Sequence, residues 1–363
     1  MKGHGAWLWD SSGKQYLDFI QGWAVNALGH CPDEIVQTIT HQSQTLLNCS
    51  PAYYNKPMLA LAQKLVQISC CDQVFFTNSG AEANESAIKL ARKWGSLHKN
   101  GAFEIITCEN GFHGRTLATM SASGKAAWKS LFEPKVPGFI HVPFNDLSAV
   151  ESAITDRTVA VMIELIQGEG GVVPASAEFV VGLRALAKKH QILLVFDEVQ
   201  TGMGRTGTVF AYEGYDVNPD ILTLGKGLGG GVPIGAMLCR KEISCFEFGD
   251  QGGTYNGNPL MTAVGLAVVE KIISPGFLDK VNNLSEHLVS KLGTVLRGAT
   301  LRGKGLLQAA VFQEDIAPKI AQNAFENGLL LNAPRPNVLR FMPALTVTDR
   351  EIDQMVTLLK KSL

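Results

Sequence analysis

The sequence lacks long apolar runs and has almost no net charge. Its longest apolar stretches, such as residues 192–196, are far shorter than the ~20 residues that a membrane-spanning helix needs. Lysine and arginine together number 32 and aspartate and glutamate 33, which gives a formal net charge of −1. No overall positive field therefore exists to attract nucleic acid or anionic lipid, and we expect neither nucleic acid nor a membrane as a partner.

Cysteine is present, but not in the arrangement of a disulfide framework or a zinc site. The cysteines are odd in number, form no C-x-x-C pair and have no histidine pair at zinc-ligand spacing. They stand at positions 31, 49, 70, 71, 108, 239 and 245. We therefore expect reduced thiols, no metal site and a cytoplasmic protein. The start of the chain agrees, because no apolar segment of a signal peptide follows Met1.

Two common nucleotide-binding loops are also missing. No G-x-x-x-x-G-K-[ST] segment occurs, which excludes a P-loop nucleotide site. No G-x-G-x-x-G segment occupies the first strand-to-helix turn, which disfavours a dinucleotide-dependent dehydrogenase. With 46% apolar residues, the chain can bury a large core, and its 363 residues correspond to roughly two domains or slightly more.

The middle of the chain alternates apolar strands with amphipathic helices. The predicted strands lie at residues 74–77, 104–107, 159–164, 192–196 and 221–224, and the predicted helices between them at residues 81–97 and 177–190. This alternation predicts an α/β fold with a mostly parallel sheet. Because the strands are apolar throughout, helices should cover both faces of the sheet.

The two ends of the chain have a different pattern. Residues 7–10 and 15–20 predict a small β-hairpin. After Pro259 come long helices, at residues 260–273 and 278–296, and then short strands and helices in an α+β pattern. We place the domain boundaries so that three segments result: residues 1–45, 46–257 and 258–363.

Small and polar residues follow several of the predicted strands. Ser79, Gly80 and Ala81 open a helix, where free N–H groups and the positive end of the helix dipole can bind an anion, although an ordinary N-cap would look the same. Two glycine-rich loops, at residues 111–115 and 167–171, carry Phe112, Arg115 and Glu169, which suit either ligand contacts or solvated turns.

Asp197 and Lys226 are the most informative of these residues. An acid that ends a fully apolar strand is costly to bury unless it has a partner or a role. A lysine between Gly225 and Gly227, after another buried strand, has the surroundings that lower an ammonium pKa and permit a Schiff base. An anion site, an acid, an aromatic ring and such a lysine together match the needs of pyridoxal 5′-phosphate (PLP).

A resemblance to a known family supports this interpretation. Six motifs carry it in family order, at residues 78–85, 112–115, 167–171, 196–202, 225–231 and 254–259. With them the chain resembles the class III (ω-) aminotransferases of PLP fold type I, and within that family the acetylornithine aminotransferases. The resemblance implies a large domain with a mostly parallel, seven-stranded-type sheet flanked by helices, and a small α+β domain formed by both chain ends.

The resemblance also implies roles for individual residues around the cofactor. Lys226 is expected to bind PLP covalently, and Asp197 to pair with the pyridine nitrogen. The remaining contacts implied are Ser79, Gly80 and Ala81 to the phosphate, Phe112 and Val199 to the two ring faces, and Gln200 near the ring hydroxyl. Thr254 is expected to reach the phosphate of a neighbouring subunit, which implies a homodimer with shared active sites.

The implied substrates are small molecules. Arg115 and Arg340 are expected to bind substrate carboxylates, and Glu169 to pair with Arg340 when that arginine has no carboxylate ligand. The implied reaction transfers the terminal amine of N-acetylornithine to 2-oxoglutarate and yields glutamate, as in arginine biosynthesis. Succinylornithine, ornithine, GABA or a succinyldiaminopimelate substrate would use the same residues. A PLP decarboxylase or mutase, and a non-catalytic binding protein of this fold, are the remaining alternatives.

Overall fold

Seventeen strands and eleven α-helices make up the computed structural model, which describes residues 1–363. The strands are β1 (Lys2–His4), β2 (Trp7–Trp9), β3 (Gln15–Asp18), β4 (Gln73–Thr77), β5 (Glu104–Cys108), β6 (Phe139–Val142), β7 (Thr158–Glu164), β8 (Ile166–Gln167), β9 (Val173–Pro174), β10 (Leu193–Asp197), β11 (Ile221–Leu224), β12 (Gly235–Cys239), β13 (Thr300–Lys304), β14 (Leu307–Val311), β15 (Leu329–Leu330), β16 (Asn332–Arg335) and β17 (Val338–Phe341). The helices are α1 (Gln21–Ala24), α2 (Asp33–Thr45), α3 (Lys56–Ile68), α4 (Gly80–His98), α5 (Leu117–Ala122), α6 (Leu147–Ala153), α7 (Ala177–His190), α8 (Pro259–Ile272), α9 (Phe277–Val295), α10 (Ala317–Glu326) and α11 (Asp349–Lys360).

The central sheet has seven strands in the order β4-β12-β11-β10-β7-β5-β6. All neighbours pair in parallel except β12, which runs antiparallel to both β11 and β4. The predicted α/β class with a mostly parallel sheet is therefore confirmed. Strands β6 and β12 were not expected from the sequence.

Both faces of the central sheet are buried, as the apolar strands predict. On β5, Ile105 belongs to one apolar cluster and Ile106 to another, because successive side chains point to opposite faces. Helix α4 contributes Ala87, Ile88 and Leu90 to the cluster of Ile105, and helix α7 contributes Phe179 and Leu183 to that of Ile106.

The register of the sheet brings three polar side chains together at its carboxyl edge. Asp197, the last residue of β10, pairs with Glu164 on β7 and with Thr223 on β11. Ligands of open α/β sheets bind beyond this edge, where the loops that follow the strands converge.

The two chain ends form the smaller part of the molecule together. Strands β1, β2 and β3 make an antiparallel sheet that β15 joins in parallel, with Leu17 beside Leu329. A second sheet, of order β13-β14-β17-β16, is antiparallel throughout. The α+β part built from both ends is thus confirmed, and the domain boundaries drawn at residues 45 and 257 stay a prediction.

None of the helices by itself combines the length and the apolar composition of a membrane span. Helices α8 and α9 reach the required length and hydropathy only when taken as a pair, and they meet at a bend of 70°.

Candidate active site

A cleft of about 260 Å³ lies at the carboxyl edge of the central sheet. Nine predicted site residues line it: Gly80, Ala81, Phe112, Arg115, Glu169, Asp197, Val199, Gln200 and Lys226. The other lining residues are Asn84, His113, Gly114 and Glu164. Strand ends far apart in the sequence therefore meet in one small space, as the parallel sheet predicts.

The amino end of α4 forms one wall of the cleft. Ser79 is the N-cap, and its hydroxyl oxygen accepts a hydrogen bond from the Glu82 N–H, which leaves its own O–H proton free. A Cβ atom at Gly80 would lie 2.5 Å from Val199 Cγ1, so a larger residue there would displace the Val199 side chain. Glycine thus keeps the helix end open for an anion, with Ala81 beside it.

Asp197 is buried and fully oriented. Its Oδ2 accepts a 2.7 Å hydrogen bond from Asn84 Nδ2 and lies 2.8 Å from His113 Nδ1, while its Oδ1 accepts from the Val199 N–H at 3.0 Å. Asn84 is in turn held by Thr223, whose hydroxyl donates to Asn84 Oδ1 at 2.7 Å. These contacts compensate the carboxylate for its loss of hydration and fix its direction.

His113 is the imidazole partner of Asp197 in this network. Burial by itself lowers the pKa of its imidazole, but the hydrogen bond and the charge of Asp197 outweigh that effect, so the pKa of His113 is raised above its usual value. The raised pKa favours the protonated form of the imidazole, the form that attracts the Asp197 carboxylate.

Glu164 links two loops of the cleft. Its Oε1 accepts from the Phe112 N–H at 2.8 Å, and its Oε2 accepts from the Gly168 N–H at 3.3 Å. Burial raises the pKa of Glu164 to about 7, even though the charge of His113 and the Phe112 N–H favour the charged form. One side chain thus ties the loop of Phe112 to the loop of Glu169.

Lys226 lies at the turn after β11, in a backbone conformation that non-glycine residues seldom adopt. Its φ is +41°, and the preceding Gly225 sits so close to α4 that a Cβ atom there would lie 3.1 Å from Gly80 Cα. Burial lowers the pKa of the Lys226 ammonium, while the charges of Asp197 and Glu164 oppose that shift. A lowered pKa increases the neutral, nucleophilic fraction of the amine.

Arg340 is completely buried beside the cleft, on β17. Its Nη2 donates to Glu169 Oε1 at 2.8 Å, its Nε donates to Asn332 Oδ1 at 3.0 Å, and its Nη1 reaches Gln200 Oε1 at 3.4 Å. Burial lowers the pKa of the Arg340 guanidinium, and Glu169 counteracts that effect. The pairing of Glu169 with Arg340 that the resemblance implied is thus present in the structure.

Cations and aromatic rings alternate along the rim of the cleft. The Phe112 and Trp128 rings meet edge to face with centroids 5.8 Å apart, and Arg115 Cζ lies 5.2 Å from the Trp128 centroid. Lys125 Nζ lies 4.9 Å from the Phe112 centroid and 5.0 Å from that of Trp128. Arg115 itself is exposed, so its guanidinium is free to meet a substrate carboxylate.

Thr254 does not line the cleft of its own chain. It is exposed, in a turn that follows the central sheet, and Tyr255 beside it is 61% exposed. Its expected role at a neighbouring subunit stays a prediction.

Sequence reasoning missed three side chains of the site: Asn84, His113 and Glu164. Asn84 could have been found, because a residue four positions after Gly80 lies on the same face of the helix as the anion site. His113 stood in a predicted loop without an assigned partner. Glu164 looked like the polar end of a buried strand, and only the sheet register places it next to Asp197.

The residues present fit PLP. Gly80 and Ala81 provide the open helix end that a phosphate needs, and Lys226 provides a desolvated amine for the aldehyde. Asp197 provides a buried, oriented acid for the ring nitrogen, and Phe112 and Val199 provide apolar surfaces for a flat ring.

Comparison with known proteins gives the same family. The model of the class III aminotransferases matches residues 1–363. An acetylornithine aminotransferase of Ralstonia nicotianae is 57% identical over 100% of this chain and 93% of that protein. Acetylornithine aminotransferase 2 of Bordetella parapertussis is 56% identical over 98% of this chain and 91% of that protein.

Solved structures agree in fold over the whole chain. N-acetylornithine aminotransferase from Stenotrophomonas maltophilia is 37% identical, with a TM-score of 0.86 over 100% of this chain and 94% of that one. Ornithine aminotransferase from Toxoplasma gondii is 33% identical, with a TM-score of 0.94 over 100% and 89%. The chain therefore belongs to the class III aminotransferases, PLP-dependent enzymes of fold type I.

Proposed function

We propose that this enzyme transfers the terminal amino group of N2-acetylornithine to 2-oxoglutarate, giving N-acetylglutamate 5-semialdehyde and glutamate, in cytoplasmic arginine biosynthesis. The observation that carries the two-substrate reaction is the pair of arginines at the cleft: Arg115 is free, and Arg340, beside the cleft, is covered by Glu169. One carboxylate-binding group is thus always available, and a second becomes available only when Glu169 moves. The 57% identity to an acetylornithine aminotransferase supports N2-acetylornithine as the amino donor.

In this proposal most of the residues that would hold the cofactor line the cleft, and Ser79 is the N-cap of the helix whose end forms one wall. Ser79, Gly80 and Ala81 would bind the phosphate, and Gln200 would lie near the ring hydroxyl. Phe112 and Val199 would enclose the ring, and Asp197 would favour the protonated pyridine nitrogen. When bound, PLP supplies an electron sink for the carbon that carries the amino group.

Lys226 has two tasks in the proposed reaction. Its amine would hold the cofactor covalently between turnovers. Once free, the amine would act as the general base that takes the proton from the substrate carbon bearing the amino group, and as the general acid that delivers this proton to the aldehyde-derived carbon of the cofactor. The lowered pKa of Lys226 suits this exchange, because a neutral amine is required first. His113 and Asn84 assist indirectly, since they orient the Asp197 carboxylate.

The two half-reactions require different uses of the arginines. N-acetylornithine and 2-oxoglutarate each carry a carboxylate that Arg115 can bind. Glutamate and 2-oxoglutarate carry a second carboxylate close to the reacting carbon, which Arg340 can bind after Glu169 leaves it. With N-acetylornithine, Glu169 stays on Arg340 and prevents a buried unpaired cation.

A homodimer with shared sites is part of the proposal. The family resemblance assigns Thr254 to the phosphate of the neighbouring subunit, and its exposed position away from the cleft of its own chain leaves it accessible to a partner. Exposed aromatic residues accompany it: Tyr53, Tyr54, Phe248 and Tyr255. Apolar surface of this kind commonly marks a protein interface.

The experiment that tests the substrate assignment compares amino donors at equal concentration with 2-oxoglutarate as acceptor. N-acetylornithine should give the highest kcat/KM, with ornithine, succinylornithine, GABA and succinyldiaminopimelate as comparison donors. A higher kcat/KM for ornithine or GABA would assign the chain to another ω-aminotransferase. The absence of transfer from every donor, with PLP bound, would contradict the proposal altogether.

A further inference from the structure

Glu169 has a second cationic neighbour besides Arg340. Its Oε1 accepts from Arg340 Nη2 at 2.8 Å, and its Oε2 lies 3.3 Å from Lys125 Nζ. The Lys125 ammonium also lies over the Phe112 and Trp128 rings, about 5 Å from each centroid. The carboxylate thus bridges a buried guanidinium and an ammonium on the rim of the cleft.

The two contacts of Glu169 are unequal in length. Charge-assisted N–H···O bonds are usually ~2.7–2.9 Å long, so the contact to Arg340 is fully formed and the contact to Lys125 is stretched. Arg340 is completely buried, whereas the Lys125 side chain is 21% exposed. Glu169 therefore favours Arg340 in this structure, and its bond to Lys125 has room to shorten.

Movement of Glu169 away from Arg340 needs a destination. The Glu169 side chain is 28% exposed, so a carboxylate that left Arg340 without a new partner would lose a strong hydrogen bond in a half-buried place. Lys125 is already at the second oxygen, and its ammonium lies over the Phe112 and Trp128 rings beside the cleft. A short shift of Glu169 toward Lys125 would replace one charge pair with another.

We infer that Lys125 is a specificity-determining positioning residue, which receives the Glu169 carboxylate when a substrate carboxylate takes its place on Arg340. This inference rests on the proposed two-substrate reaction. Lys125 contributes more in the displaced state, where it is the only partner of Glu169, than in the paired state, where its contact is long. It therefore makes the binding of glutamate and 2-oxoglutarate more favourable, and it leaves the affinity for N-acetylornithine unchanged.

The test is the Lys125→Met variant, measured in separate single-turnover half-reactions by the absorbance of the bound cofactor. The dissociation constant for glutamate should rise about three- to tenfold, with little change in the limiting rate. In the N-acetylornithine half-reaction, the dissociation constant and the limiting rate should both stay unchanged. Lys125→Arg, which retains a cation, should restore glutamate binding. Lys129→Met is the matched control, because Lys129 is an exposed lysine four residues away.

A double variant distinguishes two roles of Lys125: pairing with the displaced Glu169 carboxylate, and binding the substrate directly. In a Glu169→Ala background, Lys125→Met should have no further effect on glutamate binding. A persisting effect of Lys125→Met in this background would mean that Lys125 binds the substrate itself. Equal losses of affinity in both half-reactions of the single variant would mean that Lys125 only supports the Phe112 ring. Either result, or unchanged glutamate binding in Lys125→Met, overturns the inference. If glutamate does not react with the unmodified enzyme at all, the proposed function fails instead.

Discussion

The imidazole of His113 lies 2.8 Å from the carboxylate of Asp197, and both side chains are at least 95% buried. The same carboxylate oxygen accepts a hydrogen bond from Asn84. A carboxylate with an imidazole and an amide donor on one oxygen is held in a fixed direction. Asp197 is therefore prepared to face a cationic group across the cleft, as a protonated pyridine nitrogen would be.

Asp197→Asn should lose at least about 100-fold in kcat and keep much of its cofactor affinity. A neutral amide cannot stabilise a protonated ring nitrogen, although it occupies the same volume. Steady-state transamination and a cofactor titration on the same preparation check this. Activity within a few-fold of the unmodified enzyme would show that Asp197 is not the partner of the ring nitrogen.

Lys226→Ala should abolish turnover while cofactor still binds without a covalent bond. The general-acid and general-base contribution alone is worth ~10²–10⁴-fold, and the covalent attachment is lost as well. The measurements are multiple-turnover transamination and release of PLP on denaturation after borohydride reduction, which fixes a Schiff base as a stable amine in the unmodified enzyme only. Lys129→Ala, an exposed lysine in the loop after α5, serves as the control. Sustained turnover by Lys226→Ala would contradict the assignment.

Thr254→Ala should weaken PLP retention, and only in the assembled enzyme. Loss of one hydrogen bond to a charged phosphate costs roughly 1.5–3 kcal/mol. PLP dissociation should be measured together with the molar mass in solution, so that affinity and assembly are read from one sample. A stable monomer with full activity would refute the shared site.

Glu198→Gln should make the stability of the protein less dependent on pH. Glu198 accepts hydrogen bonds from the N–H groups of Ala211 and Tyr212, yet burial raises the pKa of its carboxyl from 4.5 to about 8. Between these values the folded protein keeps a proton that the unfolded chain loses. The free energy of unfolding should therefore fall as pH rises from about 4.5 to about 8, by up to ~1.4 kcal/mol per pH unit for this group.

Urea unfolding at pH 5 and at pH 8 measures this slope. Glu198→Gln cannot lose a proton, so its unfolding free energy should fall less over the same interval. The exposed Glu178, changed to Gln, provides the comparison. If the free energy of unfolding changes equally with pH in Glu198→Gln and in the unmodified protein, the buried carboxyl of Glu198 is not the cause of that pH dependence.

Much of the fold was predictable because its signals are local. Helix α7 and strand β11 have the predicted bounds, since Ser176 caps the helix and the strand is short and wholly apolar. Strand β12 was not predicted: it follows a glycine-rich loop, and its antiparallel place between β4 and β11 depends on pairing with distant residues. Such pairing leaves no periodic signal in the strand itself.

The site was predictable in part for a similar reason. Asp197 and Lys226 were identifiable because a charged residue at the end of an apolar strand is unusual in itself. The contacts around them were not, since His113 is 84 positions from its partner Asp197, and Lys125 is 44 positions from its partner Glu169. Only the folded sheet edge brings these residues into contact.

Glu169 and Arg340 lead to the prediction that discriminates best between the two half-reactions. Arg340 is completely buried, and without a carboxylate partner its charge would be costly. Glu169→Ala leaves Arg340 free to bind the second carboxylate of glutamate, so glutamate should bind more tightly and N-acetylornithine less well. Arg340→Ala should have the opposite effect, because it removes the group that only glutamate and 2-oxoglutarate need.

The expected change in each half-reaction is roughly 1–3 kcal/mol, below the ~2–5 kcal/mol of a fully buried pair because the Glu169 side chain is 28% exposed. Single-turnover kinetics with glutamate alone and with N-acetylornithine alone, in both variants, give the four values needed. The change in glutamate affinity must have opposite signs in the two variants, since Glu169→Ala loses the carboxylate that blocks Arg340 and Arg340→Ala loses the cation itself. Equal losses in both half-reactions for both variants would show that Glu169 and Arg340 only stabilise the cleft and do not select between substrates.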